Sequence, residues 1–388
     1  MLIYDLSIMT ITPKLPDVGT SIFTVMSKMA ADHDALNMSQ GFPEFPVHPE
    51  LIERAHHYML KGLNQYAPGN GVPRLREGIA DMTERLYGER RDAETEITVS
   101  TGATEGIYST LTALIHRGDQ VILFDPAYDS YDPAIRLCGA EPVHLNLAYP
   151  TFGIPWEALR NAINDKTRAI VINNPHNPTG SILTRADMEK LGRLAKAHDL
   201  LVISDEVYHN MVFDGVRHTS ALQIADLRDR SVAIFSFGKT FHATGWKTGY
   251  CIASAELTRE IRRTRQFVTF TVNTPIQFAL ADFIEDPDHY EYLAGFFEEK
   301  RNVFLQAVAN SQFQPIQCSG TYFQLLNYGA VSDQPDMDMA EELTKTHGLA
   351  TIPVSVFSAD GTDHRLLRFC FAKDDETLQA AGKILNSL

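Results

Sequence analysis

Cysteine is scarce in this 388-residue chain: Cys138, Cys251, Cys318 and Cys370 stand far apart. No two are close enough for a zinc or redox motif, and four in this length do not make a disulfide framework. Positive charge is also short. Lys and Arg number 34 against 49 Asp and Glu, a formal net charge of −15. That balance disfavours nucleic acid or anionic membrane as a partner, so any anionic ligand must be met by local charge. No apolar run approaches the roughly 18 residues a membrane span needs. The N-terminus has no basic stretch ahead of an apolar core, so no secretory leader is expected. There are no internal repeats or low-complexity tracts, and the 14 histidines are scattered, so no metal site is expected. What remains is a cytoplasmic globular protein. Hydrophobic residues at 44% supply a core for one large domain and a smaller lobe.

One stretch organises the chain. Residues 236 to 250 read S-F-G-K-T-F-H-A-T-G-W-K-T-G-Y after a short apolar run, Val232 to Phe235, with β character. Gly238 lets the backbone pass close to something, and Lys239 follows at once. A lysine at a strand end in a glycine-marked turn is a candidate nucleophile toward a carbonyl. An amine with a reference pKa of roughly 10.4 is a poor nucleophile at neutral pH. Burial and a nearby cation such as Lys247 would lower that value. On its residues alone the stretch reads equally well as a surface turn with two solvated lysines.

Other stretches carry chemistry in the same weak, local way. Glu96 to Ser100 reads as a strand, then T-G-A-T-E-G leads into an apolar helix, Ile107 to Ile115. Strand, small residues and a helix start make an anion site, because the first-turn N–H groups and the helix dipole both favour phosphate. Strand Gln120 to Phe124 ends in D-P-A-Y-D-S-Y, placing Tyr128 where open α/β sheets bind ligands. Its ring could stack on a flat partner or simply cover the core. Strand Arg168 to Ile172 runs into N-N-P-H-N-P-T-G, where Asn177 is held out of the helical region by Pro178; that peptide bond is expected to be cis. Strand Leu200 to Ser204 ends in D-E-V-Y. A buried strand-end acid needs a cationic partner, and a protonated ring nitrogen would suit Asp205. Glu206 should point to the opposite side. In the edge R-L-L-R-F-C-F, residues 365 to 371, Arg368 alternates with apolar neighbours, and a carboxylate fits its fork, whether from a ligand or from an acid of the protein itself.

Taken in order, these motifs resemble the class I/II pyridoxal-phosphate-dependent aminotransferases of fold type I. The signals lie in S-x-G-K with G-W-K-x-G, in the V-N-T-P segment, and in G-T-Y-F followed by I-P-V-S-V-F and R-F-C-F-A-K. The branch that these resemble holds bacterial methionine aminotransferases and kynurenine/glutamine transaminases. The resemblance implies an α/β fold with a mostly parallel seven-stranded sheet between helices and a smaller α+β domain. It implies pyridoxal 5′-phosphate bound covalently through Lys239. Asp205 would partner the ring nitrogen, Tyr208 and Asn177 the phenolic oxygen, with Tyr128 on the ring face. Gly102, Ala103, Thr104, Ser236 and Lys247 would hold the phosphate, together with Tyr66 from a partner subunit. Lys247 departs from the arginine of many relatives and gives up the bidentate fork. Arg368, Asn177 and Gly41 would hold the substrate carboxylate.

The resemblance further implies a homodimer, with Tyr66 and Phe270 reaching the partner's site. No Lys or Arg occurs from Gln266 to His289, where aspartate-type enzymes bring an arginine for a side-chain carboxylate. The expected pocket is therefore apolar and aromatic, from Tyr66, Phe270, Tyr322 and Tyr108. The expected donors are large neutral L-amino acids, methionine first, then phenylalanine, glutamine, histidine or kynurenine, with a 2-oxo acid as acceptor. Cysteine-conjugate β-elimination on the same scaffold is the alternative. A non-catalytic cofactor-dependent regulator is more remote, since only about 45 residues precede the first motif and lack basic character. The expected division is residues 1–45 as a segment packing with the small domain, 46–285 as the cofactor domain, and 286–388 as the small domain.

Overall fold

The computed structural model describes residues 11–388; the first ten residues of the expected N-terminal segment lie outside the described residues. At the centre stands a seven-stranded sheet. In spatial order its strands are Ile97–Ser100, Gly249–Ala253, Ser231–Ser236, Leu201–Asp205, Thr167–Asn173, Gln120–Asp125 and Glu141–Asn146. Six run in one direction and Gly249–Ala253 opposes them. The inner strands are buried on both faces, so V-I-L-F and A-I-V-I read as continuous apolar runs with no alternation. Two hydrophobic clusters cover the faces. One holds Ile107, Leu111 and Ile135 against Val121, Ile203 and Ile234; the other holds Met188 and Leu191 against Ile122, Ile170 and Val202.

The helices follow local signals. Arg185–Ala197 opens on a capping box, in which Thr184 accepts from the Asp187 N–H and Asp187 answers at the Thr184 N–H. Past the lysine turn stand two helices, Ala255–Arg265 and Thr274–Phe283, separated by an irregular segment. The helix expected from Ile107 begins earlier, at Gly102.

A second sheet of four antiparallel strands occupies the C-terminal part, in the order Ile352–Pro353, Leu366–Cys370, Phe323–Asn327, Gln314–Pro315. Arg368 is therefore not on an edge strand: it lies between Leu325 and Ile352 on neighbouring strands. Helices Leu293–Ala307, Asp336–His347 and Asp375–Leu385 accompany this sheet. Leu36–Asn37 pairs in parallel with Leu349–Ala350, which ties the N-terminal segment to the C-terminal lobe. Among the described residues no helix is long and apolar enough to cross a membrane.

Candidate active site

The ends of the parallel strands meet along one edge of the large sheet, and the loops leaving them wall a cavity of about 290 Å³. Its far wall comes from the other sheet and the N-terminal segment, through Arg368, Phe323, Gly41 and Phe23.

One end of the cavity is built for an anion. Helix Gly102–Leu114 starts there, and its N-cap residue Thr101 makes no side-chain cap. By contrast, Thr184 and Ser254 cap theirs. The first-turn N–H groups of Gly102, Ala103 and Thr104 have no acceptor within the helix. Lys247 is held in the left-handed region at φ +51°. Its ammonium stands 3.4 Å from the point where a Gly102 side chain would begin. Among the described residues other lysines form salt bridges, and Lys247 forms none. A positive helix end and an ammonium facing one space repel unless an anion lies between them. The strand below must pass close: a Cβ on Gly249 would lie 2.5 Å from the Phe235 carbonyl and 3.1 Å from the Ala103 nitrogen.

The floor carries a buried acid. Asp205 ends its strand, and one carboxylate oxygen accepts from the Tyr131 hydroxyl at 2.6 Å while the other accepts from the Val207 N–H at 3.3 Å. Burial pushes its pKa up to about 6, opposed by those two bonds and by Lys239. Glu206 turns to the opposite side, where it accepts from the Ser204 hydroxyl and the Ala221 N–H; burial pushes it up to about 7. Asp205 is thus the acid that faces the cavity. Tyr128 stands at the wall with its ring edge-on to Tyr131 at 5.6 Å. Tyr208 also lines the cavity, and burial raises its hydroxyl well above the usual range.

Lys239 reaches in from a single helical turn, Phe237–Thr240, whose N-cap Ser236 accepts from the Lys239 N–H. Its amine donates to the Gly41 carbonyl at 3.0 Å and to the Tyr322 hydroxyl at 2.9 Å. Burial lowers its pKa to about 8; Cys370 and Asp205 oppose the shift, while Arg368 and Lys247 add to it. Burial therefore outweighs the cation effect, and Arg368 contributes ahead of Lys247.

Arg368 is fully buried. It donates to the Asn177 side-chain oxygen at 3.0 Å and to the Ser39 carbonyl at 2.8 Å, and its Nε has no partner among the described residues. Phe323 covers its guanidinium face at 4.0 Å. Asn177 is fixed by the Asn173 side chain, which accepts from its N–H at 2.7 Å, and the Asn177–Pro178 bond is cis. A buried guanidinium with an open N–H and no acidic partner calls for an incoming carboxylate.

None of the four aromatic residues expected around the side-chain pocket lines the cavity within this chain, and two of them, Tyr66 and Phe270, are expected at the partner's site. Tyr66 and Phe270 are 80% and 60% exposed and pack edge-on against each other. Tyr108 lines a neighbouring groove with Thr104 and Lys247. Tyr322 is no apolar pocket wall. It is fully buried behind Lys239 and turns its hydroxyl to the amine. Two further residues stand at the site without having been singled out from the sequence. Tyr131 gives no signal beyond its place three residues after Tyr128. Phe23 sits on helix Ile22–Asp32, far from every motif, yet its ring lies 5.1 Å from the Arg368 guanidinium.

The family model for aminotransferase class I and II matches residues 33–385. This chain belongs to that family. It is 47% identical over 376 residues to methionine aminotransferase of Escherichia coli, covering 97% of each chain. It is 33% identical to human kynurenine–oxoglutarate transaminase 3, covering 96% of this chain and 89% of that one. A solved E. coli structure described as having a methionine aminotransferase function superposes with a TM-score of 0.96, covering 98% of this chain and all of that one, at 47% identity. The fold is that of a fold type I aminotransferase, and the enzyme depends on pyridoxal phosphate. The residues present fit that group. The uncapped helix end with Lys247 suits a phosphate, and the buried Asp205 suits a cationic ring nitrogen. Among the described residues no His, Cys, Asp or Glu cluster could hold a metal ion.

Proposed function

We propose that this aminotransferase takes large neutral L-amino acids as donors, methionine foremost, and passes the amino group to a 2-oxo acid in a ping-pong cycle through Lys239. One observation carries the donor class. The cavity lining holds three cations, Lys239, Lys247 and Arg368. Each is already committed, the first to the aldehyde, the second to the phosphate and the third to the α-carboxylate. No fourth cation among the described lining residues is left for a side-chain carboxylate. Beside Arg368 the cavity wall is made by the apolar rings of Phe323 and Phe23, 4.0 and 5.1 Å from its guanidinium. The likeness to methionine aminotransferase supports the same reading.

In this reading Arg368 and Asn177 clamp the substrate carboxylate and so orient the bond from Cα to hydrogen. Pyridoxal phosphate supplies the aldehyde that captures the amine and the electron-poor ring that takes up the pair left at Cα. Asp205 would pair with the ring nitrogen and keep it protonated. Tyr128 would cover one face of the ring, and Tyr208 and Asn177 would serve the phenolic oxygen. The free Lys239 amine would hold and move the proton taken from Cα. Its pKa near 8 leaves a useful neutral fraction at neutral pH.

The same reading makes the working unit a homodimer in the cytoplasm. Segments 64–71 and 266–274 are tied together, with Thr271 donating to the Ala67 carbonyl and Thr274 to the Gln65 carbonyl. They present Tyr66, Phe267 and Phe270 as an exposed aromatic knob. A largely apolar groove lined by Ile107, Tyr108, Leu137, Thr104 and Lys247 leads to the phosphate end, and the partner's knob suits it. A panel of amino donors against several 2-oxo acids tests the specificity. Methionine should lead, and strong preference for aspartate would refute the reading.

A further inference from the structure

Tyr322 is the one polar group, besides a backbone carbonyl, that the Lys239 amine touches among the described residues. Its hydroxyl donates to the Gly41 carbonyl at 2.7 Å and accepts from Lys239 Nζ at 2.9 Å, while Nζ donates to the same carbonyl at 3.0 Å. The three atoms close a triangle that joins the N-terminal segment, the Phe237–Thr240 turn and the chain entering strand Phe323–Asn327. The tyrosine has little freedom to leave it. Its ring lies edge-on to Tyr208 at 5.2 Å and to Phe323 at 4.8 Å, in a fully buried position.

The hydrogen count gives the triangle a meaning. A neutral amine has two hydrogens and one lone pair. Both hydrogens are taken here, one by Gly41 and one by Tyr322, so the lone pair of the neutral form must point away from the triangle. We propose that Tyr322 is a positioning residue for proton transfer: its hydroxyl docks the released Lys239 amine with the lone pair free for the substrate Cα hydrogen. The inference rests on Lys239 being the reacting amine.

The step balances without any further reactant. The Nζ lone pair would take the Cα proton, the C–H electron pair would stay with carbon, which the bound cofactor would stabilise, and the ammonium would hold that same proton for return, so that none is gained or lost. Tyr322 keeps its own proton throughout, because burial raises its hydroxyl well above the usual range. The Gly41 carbonyl and Tyr322 oxygen can accept from the ammonium as well as from the amine, so the base need not swing away between the two transfers.

Tyr322→Phe tests this, since it keeps the ring and removes the hydroxyl. The first readout needs no turnover: the rate at which apoenzyme captures pyridoxal phosphate, followed by absorbance across pH. An oxygen that accepts from nitrogen favours the ammonium, so its loss should move the acid limb of that profile down by roughly half a unit or more. The second readout is steady-state transamination of methionine. kcat should fall roughly 10- to 100-fold, as for a misplaced base, with a larger isotope effect from Cα-deuterated substrate and an unchanged KM. An unmoved limb together with wild-type kcat overturns the proposal. If the variant does not accumulate, fluorotyrosine at position 322 weakens the acceptor while keeping the shape, and should move the limb in the same direction; no movement again overturns it. Lys239→Ala separates this from the underlying reading. Full turnover in that variant removes the reading itself, whereas a dead Lys239→Ala beside a wild-type Tyr322→Phe removes only the role of Tyr322.

Discussion

Replacing Arg368 should push activity and stability in opposite directions. The guanidinium is fully buried, its Nε has no partner, and it makes no salt bridge among the described residues. Burial pulls its pKa below the ordinary value, the sign of a charge kept at a cost. Exchange of buried ion pairs for apolar side chains of similar volume ranges from neutral to stabilising by roughly 1–4 kcal/mol, and a buried charge without a partner has less to lose. Arg368→Met should therefore raise the melting temperature of the unliganded protein by several degrees. It keeps the packing against Phe323, and the freed Asn177 and Ser39 oxygens limit the gain. The substrate carboxylate, however, loses its charged fork. Truncating one partner of a buried, hydrogen-bonded charge pair costs about 2–5 kcal/mol, which corresponds to roughly 30- to 4,000-fold in kcat/KM. Arg368→Lys keeps the charge and loses the fork, so it should fall near the low end. Because the α-carboxylate is common to all donors, methionine and phenylalanine should suffer alike. Calorimetry and donor kinetics on the two variants make the test. Turnover within threefold of the parent refutes the anchor role; a lower melting temperature refutes the argument from an unpaired charge.

Asp205 gives a pH-dependent counterpart. Burial raises its folded pKa to about 6 from an ordinary 3.8. Below about pH 4 both states hold the proton; as pH rises through 6 the folded apoenzyme loses about 3 kcal/mol relative to that limit, and the loss persists above it. Asp205→Asn apoenzyme should therefore be more stable than the parent at pH 8, with the difference shrinking toward pH 4, while transamination is lost; urea midpoints across pH read the first and a rate assay the second. A variant less stable than the parent at pH 8 contradicts the cost assigned to that buried charge. For the shared site, mixing inactive Lys239→Ala and Tyr66→Ala subunits should restore activity, because the mixed dimer holds one intact site. Random pairing gives about a quarter of parental activity, and no recovery in a mixture shown to exchange subunits would contradict a partner contribution from Tyr66.

The chemistry-bearing strand ends are legible in the sequence because glycine, proline and a charged residue punctuate each apolar run at the sheet edge. Asp205 ends such a run and Asn177 and Lys239 follow within four residues of theirs, and the structure brings them to one cavity. Strands Glu141–Asn146 and Gly249–Ala253 leave no comparable mark. The first is half-exposed with mixed polarity, and the second hides inside the lysine motif, buried on both faces with no alternation to reveal it. Phe23 and the hydroxyl contact of Tyr322 with Lys239 escape sequence reasoning for another reason. Both depend on packing between distant segments, and an aromatic residue looks the same in sequence whether it fills a core or aims a hydroxyl. Helix Gly102–Leu114 starts before its apolar periodicity does, because T-G-A-T-E-G lacks the spaced apolar residues that announce a helix.

Everything proposed for this site turns on which amine carries the cofactor. Reduction of the pyridoxal-phosphate-loaded enzyme with borohydride, followed by peptide mass spectrometry, reads this directly. One phosphopyridoxyl group per chain is expected, on Lys239; a label on Lys247 or another lysine, with the Lys239 peptide unmodified, would contradict it.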